Sequence, residues 1–265
     1  MVRLSLICTL LSIIALSGCV QGDRTADSKA PYPKEIIDLG TLITAETPEQ
    51  FWGAKMLQDF GFTEPNSFNV IHWEYGPVAG INAYYTLFNH AGPHVDAPNH
   101  VGVGAGLDSY SIDDFVGPLK VFDVSHLNIG RTITVDMVAD WHIVEGDIVV
   151  IHTGYVAPTS DTDLPESITL TYEAAEYLAQ MPVRAFGTDS FSVNSLTDQS
   201  PVAAASEVVR TIPVHFAFLS RGIPIYEQLV NVNSLVGKQN MIFVGVPINI
   251  QNGDGMIVRP AVFVY

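Results

Sequence analysis

The 265-residue sequence predicts a single mixed α/β domain in which strands outnumber helices. Three observations lead to that class. Short apolar runs with β character recur along the chain, bounded by turn residues. Helical segments are fewer and alternate with these runs irregularly, which favours an antiparallel or mixed sheet over a doubly wound parallel one. From about Ile36 to the end no linker, charge block or repeat intervenes, so residues 36–265 read as one β-rich domain flanked by helices. A hydrophobic content of 48% against 15% charged residues is enough to build its core.

Residues 1–18 begin with Arg3 and an apolar run from Leu4 to Leu16, too short to cross a bilayer comfortably and built like a secretory signal. The run ends in Leu16-Ser17-Gly18-Cys19, which resembles the lipobox of bacterial lipoproteins, whose cysteine is acylated and becomes the new N-terminus. Two or three acyl chains hold a domain to a membrane at about 0.8 kcal/mol per buried methylene. With Val20 next instead of aspartate, the Gram-negative sorting rule implies the periplasmic side of the outer membrane. The expected location is therefore exported and lipid-anchored through Cys19. Cys8 lies inside the signal, so no cysteine nucleophile or disulfide framework remains. Residues 19–35 are polar, carry two prolines and read as a lipidated tether.

Within the domain, "ETPEQFWGAKMLQDFG" (46–61) predicts a helix opening at Thr47-Pro48, with proline at the first helical position. Strands are expected at "VIHW" (70–73), "YYTLF" (84–88), "LKVFDV" (119–124), "DIVVIHT" (147–153), "VRAFGTD" (183–189) and "MIFVGVPI" (241–248). "TLTYEAAEYLAQM" (169–181) sets Tyr172, Ala175, Leu178 and Ala179 along one helical face. A second helix, "SPVAAASEVVRTIPVHFAFLSRG" (200–222), stops at Gly222. The net charge of −16 excludes nucleic acid as a partner and electrostatic attachment to anionic lipid.

Three of the chain's eight histidines fall within "NHAGPHVDAPNH" (89–100), together with Asp96. His90 and His94 are spaced like a helical ligand pair, but Gly92 and Pro93 rule out a helix, since an internal proline costs about 3 kcal/mol. A turn followed by extended chain fits better, because Ala97 precedes Pro98 and is driven out of the α region. In extended chain His94 and Asp96 share a face, and the turn can fold His90 back beside them. Two imidazoles and a carboxylate suit zinc or manganese. His100 can reach the same place without being required as a ligand. A catalytic ion needs further ligands from elsewhere. His215, on the helix before Gly222, and Glu227, in the strand "IPIYE", are the candidates; His215 alone equally fits a plain helix face.

"HAGPHVDAPNH" is similar to the signature H-x-G-T-H-x-D-x-P-x-H of the cyclase-like metal-dependent hydrolases, a family that includes bacterial kynurenine formamidase and isatin hydrolase. "DIVVIHTGY", "LTYEAAEYLAQMPVRAFGTDSFSV", "VHFAFLSRGIPIYEQLVNVNSL" and "NGDGMIVRPAV" resemble further stretches of it, so the likeness runs from about Ile36 to the end. The resemblance implies the family's α/β fold and assembly as a dimer or tetramer. It implies one or two divalent ions, with His90, His94 and Asp96 holding one, and Asp96, His215 and Glu227 a second. His100 is then the catalytic acid/base. The departure is Pro93, where the family has threonine; proline removes a hydroxyl and a backbone N–H that could orient a ligand.

The implied reaction is metal-assisted hydrolysis of an amide, lactam or lactone in a small aromatic or cyclic substrate, such as an aryl formamide. His100 passes a proton to the leaving group. Trp73, Phe88 and His152 are candidate pocket residues, alongside Tyr84 and Tyr85, while Asp189 in "GTDS" fits a turn as well as a site. No G-x-S-x-G elbow supports a serine hydrolase. The alternative from another class is a non-catalytic metal- or solute-binding lipoprotein on the same fold.

Overall fold

The computed structural model describes residues 32–52, 54–59, 61, 62, 64, 66–128, 130–156, 167–194 and 212–265. The signal, Cys19, most of the tether and the first half of the expected helix 200–222 lie outside these residues. Contacts divide the chain between Tyr32 and Pro33, and apart from Tyr32 the described residues fall in the second unit, Pro33–Tyr265. No described helix is long and apolar enough to cross a membrane.

In chain order the elements are β1 (Glu35–Asp38), α1 (Thr47–Trp52), α2 (Ala54–Asp59), β2 (Ser67–Tyr75), β3 (Val78–Thr86), β4 (His94–Asp96), β5 (Val116–Asp123), β6 (Thr132–Ile133) and α3 (Val135–Val138). They continue with β7 (Ile148–His152), β8 (Thr169–Leu170), α4 (Tyr172–Ala179), β9 (Ala185–Thr188), α5 (Pro213–Leu219), β10 (Ile225–Glu227), β11 (Met241–Val244), β12 (Gly255–Ile257) and β13 (Ala261–Val264). Among the described residues nine strands form one mixed sheet, in the order β1-β13-β11-β5-β7-β9-β10-β4-β12. β5, β7, β9 and β10 run parallel in its middle, and the outer pairings are antiparallel.

β7 explains why the sheet must be covered twice. Its residues alternate between two cores: Val149 and Ile151 face the helices α3, α4 and α5, and Ile148 and Val150 face the opposite layer. A strand apolar on both sides is what a parallel centre requires. On the helical side, Thr171 caps α4 by accepting the Ala174 N–H. α4 buries Ala174, Ala175, Leu178 and Ala179 against α5, where Phe218 stacks on Phe186 of β9 at 4.5 Å. α5 starts with Pro213 at its first turn, and Gly222, at φ +72°, ends the segment before β10. The small alanines let α4 and α5 approach closely, which sets α5, and with it His215, over the β9–β10 end of the sheet.

The expected elements are largely present, with shifted ends. The segment 46–61 forms α1 and α2 from Thr47 onward, and Thr169–Leu170 pair with β6, so α4 begins at Tyr172. The run 70–73 and the first three residues of 84–88 belong to one long hairpin, β2–β3, which is separate from the main sheet; Leu87 and Phe88 lie beyond its end.

Candidate metal centre

The segment 89–100 folds as a turn and a short strand. Gly92 has φ +87°, a left-handed conformation that few side chains tolerate, and its turn feeds β4. Ala97 is extended (φ −116°, ψ 163°), as its place before proline demands, and Pro98–Val101 then make a single 3-10 turn carrying His100. β4 lies between β10 and β12, with His94 opposite Glu227 and Asp96 opposite both Ile225 and Gly255. The period of two sends Val95 and Tyr226 into the far core, and leaves His94, Asp96 and Glu227 on the face that α5 covers. His215 descends onto them from α5.

The geometry converges on Asp96. His90 Nδ1 is 2.9 Å and His94 Nε2 3.3 Å from its Oδ1, and His215 Nε2 is 3.5 Å from its Oδ2. Glu227 closes the ring, with Oε1 3.2 Å from His215 Nε2 and Oε2 3.6 Å from His94 Nε2. Asp96 is 0% exposed, yet neither of its oxygens has an aligned hydrogen bond. Leaving a buried carboxylate without partners is costly, so the arrangement demands positive charge at its centre.

Each histidine is also held from behind. His94 Nδ1 meets the Gly92 carbonyl at 2.8 Å, and His215 Nδ1 meets Asn194 Oδ1 at 2.6 Å. His90 Nε2 meets Asp254 Oδ2 at 2.9 Å. In every case an oxygen accepts from the outer nitrogen, which orients the ring with its inner nitrogen aimed at Asp96 or Glu227, the arrangement that leaves that nitrogen available to an ion. That is how ligating imidazoles are prepared, and the donor set of imidazoles and carboxylates suits a borderline divalent cation. His90, His94 and Asp96 satisfy the spacing for a common ion, as do Asp96, His100 and His215, and His90, His100 and Asp254.

Without an ion, protons do part of its work. Burial opposes charge on His90, but its contacts with Asp254 and Asp96 outweigh it and raise the imidazole to about 9. His215 is likewise opposed by burial, yet Glu227 and Asp96 lift it to about 10. Burial pushes the Asp96 and Glu227 carboxyls up, and the surrounding imidazoles outweigh that and bring both down, Asp96 strongly.

His90, His94, Asp96, His215 and Glu227 thus come together, and His100 stands at their edge, its ring 4.4 Å from that of His90 and 5.4 Å from that of His215. The proposed pocket residues divide. Phe88 packs on Trp52 at 5.1 Å, and the Trp52 indole N–H donates to the His90 carbonyl at 2.9 Å, so this aromatic group braces the backbone of the turn. Trp73 is a correction: it sits six residues up β2 from Ser67, about 20 Å along the strand, and covers Gly80 of β3. Within its own chain it does not wall the cluster. His152 pairs with Asp189 at 2.6 Å and borders a separate cavity of about 580 Å³ with Tyr155, Asn231 and Asn233. Asp189 also accepts from the backbone N–H groups of Thr153 and Gly154, which is the turn role.

Three further residues have no counterpart among the expected site residues. Asn194 orients His215, Asp254 holds His90, and Gln228 locks the turn. The Gln228 Oε1 accepts from Gly92 N–H at 2.8 Å, from a backbone at φ +58° that glutamine seldom adopts. A polar residue beside each quoted motif was the available signal: Asn194 after "FSV", Asp254 in "NGDG" and Gln228 after Glu227. Pro93 keeps one backbone role, its carbonyl accepting from Val258 N–H at 2.9 Å.

Residues 37–195 match the Cyclase family model ("Putative cyclase"). A kynurenine formamidase of Salinibacter ruber is 30% identical over 176 residues, covering 65% of this chain and 75% of that one. An isatin hydrolase bound to the product analogue thioisatinate superposes with a TM-score of 0.66 at 22% identity, over 87% of this chain and 92% of the other. Isatin hydrolase A from Labrenzia aggregata gives 0.64 at 23% identity, over 87% and 93%. At these identities the two solved structures speak for the fold.

Proposed function

The chain belongs to the cyclase family of metal-dependent hydrolases, and from that premise we propose that it cleaves an amide, lactam or lactone bond in a small aromatic or cyclic substrate, in the manner of an arylformamidase. One observation carries the reading: the fully buried Asp96 carboxylate, whose oxygens have no aligned hydrogen bond and are ringed by the inner nitrogens of three imidazoles. His90, His94 and Asp96 would hold one divalent ion, zinc or manganese, and Asp96, His215 and Glu227 a second.

A divalent ion held there supplies Lewis acidity, polarising a carbonyl and lowering the pKa of water from 15.7 towards about 7. The chain does the rest. The Gly92 carbonyl, Asn194 and Asp254 keep the three rings from rotating away. The Val193 N–H donates to Glu227 Oε1 at 2.7 Å and fixes that carboxylate. His100, the least buried of the clustered imidazoles, is needed by none of these contacts and stands ready to carry a proton to the leaving nitrogen or oxygen. The test is to offer N-formylkynurenine, isatin and simple lactones to the purified protein and to His100→Ala. Turnover that disappears in the variant while its metal content is retained supports the enzyme. Absence of turnover at full metal occupancy favours a non-catalytic binder.

The homo-oligomer is proposed to form through β2–β3. A hairpin alone is marginal in water, and this one carries exposed apolar side chains on both faces. Val70, Ile81 and Tyr85 lie on one face, and Ile71, Tyr75 and Tyr84 on the other. Glu74 is the one acidic residue between Ser67 and Thr86, and no Lys or Arg occurs there, so two such arms of a strongly acidic chain can meet without repulsion. Export and lipid anchoring at Cys19 rest on the sequence. They predict that Cys19→Ser moves the protein from the membrane to the soluble fraction, and an unchanged membrane fraction would contradict them.

A further inference from the structure

Asp254 is not among the ligands assigned above, yet it touches the site in two places. Its Oδ2 lies 2.9 Å from His90 Nε2 and 3.7 Å from His100 Nδ1. Its Oδ1 accepts from Asn89 Nδ2 at 2.9 Å, and Asn89 Nδ2 also donates to the Gly255 carbonyl at 3.1 Å. The carboxylate is thus anchored on one oxygen, hydrogen-bonded to His90 on the other, and close to His100 without a hydrogen bond to it. Its backbone is fixed too, since the Asp254 carbonyl accepts from Ala97 N–H at 2.8 Å. Gly255 permits the approach: a Cβ there would fall 2.4 Å from His90 Cε1.

The two imidazoles differ in what they face on the other side. His90 turns Nδ1 to Asp96, whereas His100 offers a nitrogen within 4.8 Å of ligand atoms of Asp96 and His215. An acceptor on Nε2 of His90 leaves Nδ1 bare for an ion. The same acceptor beside Nδ1 of His100 leaves Nε2 as the nitrogen free to meet a substrate. Catalytic contacts of this kind are commonly long without substrate and shorten when it binds.

We propose that Asp254 is a positioning residue that serves two functions at once, fixing the tautomer of the ligand His90 and the orientation of the proton carrier His100. The second half rests on the functional reading given above; the first rests on the metal-centre geometry alone. One side chain thereby ties the integrity of the ion site to the aim of the acid/base. This differs from a simple structural contact at the start of β12, because it acts on the chemical step as well as on binding.

The experiment compares wild type, Asp254→Asn, His100→Ala and the double variant, with Asp254→Ser as a second replacement should Asp254→Asn melt early. Zinc affinity is read by competition with a chromophoric chelator, and the His90 tautomer by ¹⁵N shifts of the zinc-loaded protein. Turnover at saturating zinc is read on a series of formanilides and phenyl esters of graded leaving-group basicity. The expected affinity loss in Asp254→Asn is ten- to a hundredfold. With zinc restored, kcat should fall about a hundredfold for basic leaving groups and much less for weakly basic ones, with KM little changed. In the His100→Ala background Asp254→Asn should add no further leaving-group sensitivity, the mark of two residues acting as a unit. Equal losses across the series, or additive effects in the double variant, overturn the His100 half. Unchanged zinc affinity and tautomer overturn the His90 half. If wild type turns over nothing, the functional reading fails, and Asp254 is then judged on affinity and tautomer alone.

Discussion

At the scale of single residues, the site is a problem of charge. Asp96 and Glu227 are buried together, and only cations can hold them there. In the metal-free protein the raised values of His90, about 9, and His215, about 10, mean that both imidazoles carry protons at neutral pH. Such protons stabilise the fold fully below the ordinary histidine value near 6.5, and the stabilisation is lost as pH rises through 9 and 10. An ion requires the same nitrogens bare, so it replaces the protons. Metal loading at pH 7.5 is therefore expected to release protons from both rings, and affinity should increase with pH. Calorimetry in buffers of different ionisation enthalpy reads the release; a heat independent of the buffer would contradict it. His90, His94 and Asp96 were legible as candidate ligands because turn chemistry and strand alternation are local: Gly92, Pro93 and Pro98 dictate how they are presented, whereas His215 and Glu227 came chiefly from the family resemblance. Asn194 and Asp254 were not, since a polar residue beside a motif does not say that it meets His215 or His90 across 21 and 164 residues.

At the scale of elements, β4 is the keystone, three residues paired on both sides. Gly255→Ala would drive a methyl into His90 and toward the Val95 carbonyl, 2.9 Å away, prying β12 from β4. The expected result is a loss of zinc affinity of at least tenfold with far-UV dichroism little changed, measured by the same competition titration; unaltered affinity would show that the edge can yield. The strands of the central sheet were readable from their apolar runs, as with 147–153 giving β7. The hairpin was only half readable: "VIHW" and "YYTLF" announce strands, but β2 and β3 leave both faces in water, which periodicity does not reveal. Its apolar surface predicts association, so Tyr75→Glu combined with Ile81→Glu should shift the protein to monomer in sedimentation equilibrium. A wild-type protein that is monomeric at micromolar concentration would remove that role.

At the scale of the whole molecule, the central parallel strands carry two cores and leave their β10–β4–β12 flank to hold chemistry. Helix α5 links these parts, since Phe218 anchors it to β9 while His215, one turn earlier, reaches the carboxylates. Mixed topology was legible in the irregular alternation of strands and helices, and the sheet order was not, because β4, β10 and β12 come from distant stretches that only tertiary pairing joins. The family likeness and this geometry meet in one claim, that an ion at Asp96 is what makes the protein a hydrolase. The most direct test is to strip the purified protein with chelator and titrate zinc or manganese back while following hydrolysis of an aryl formamide. Activity should rise in proportion to bound metal, saturate at one or two ions per chain, and vanish again with chelator. Turnover that persists in the metal-free protein, or that ignores occupancy, would contradict the account.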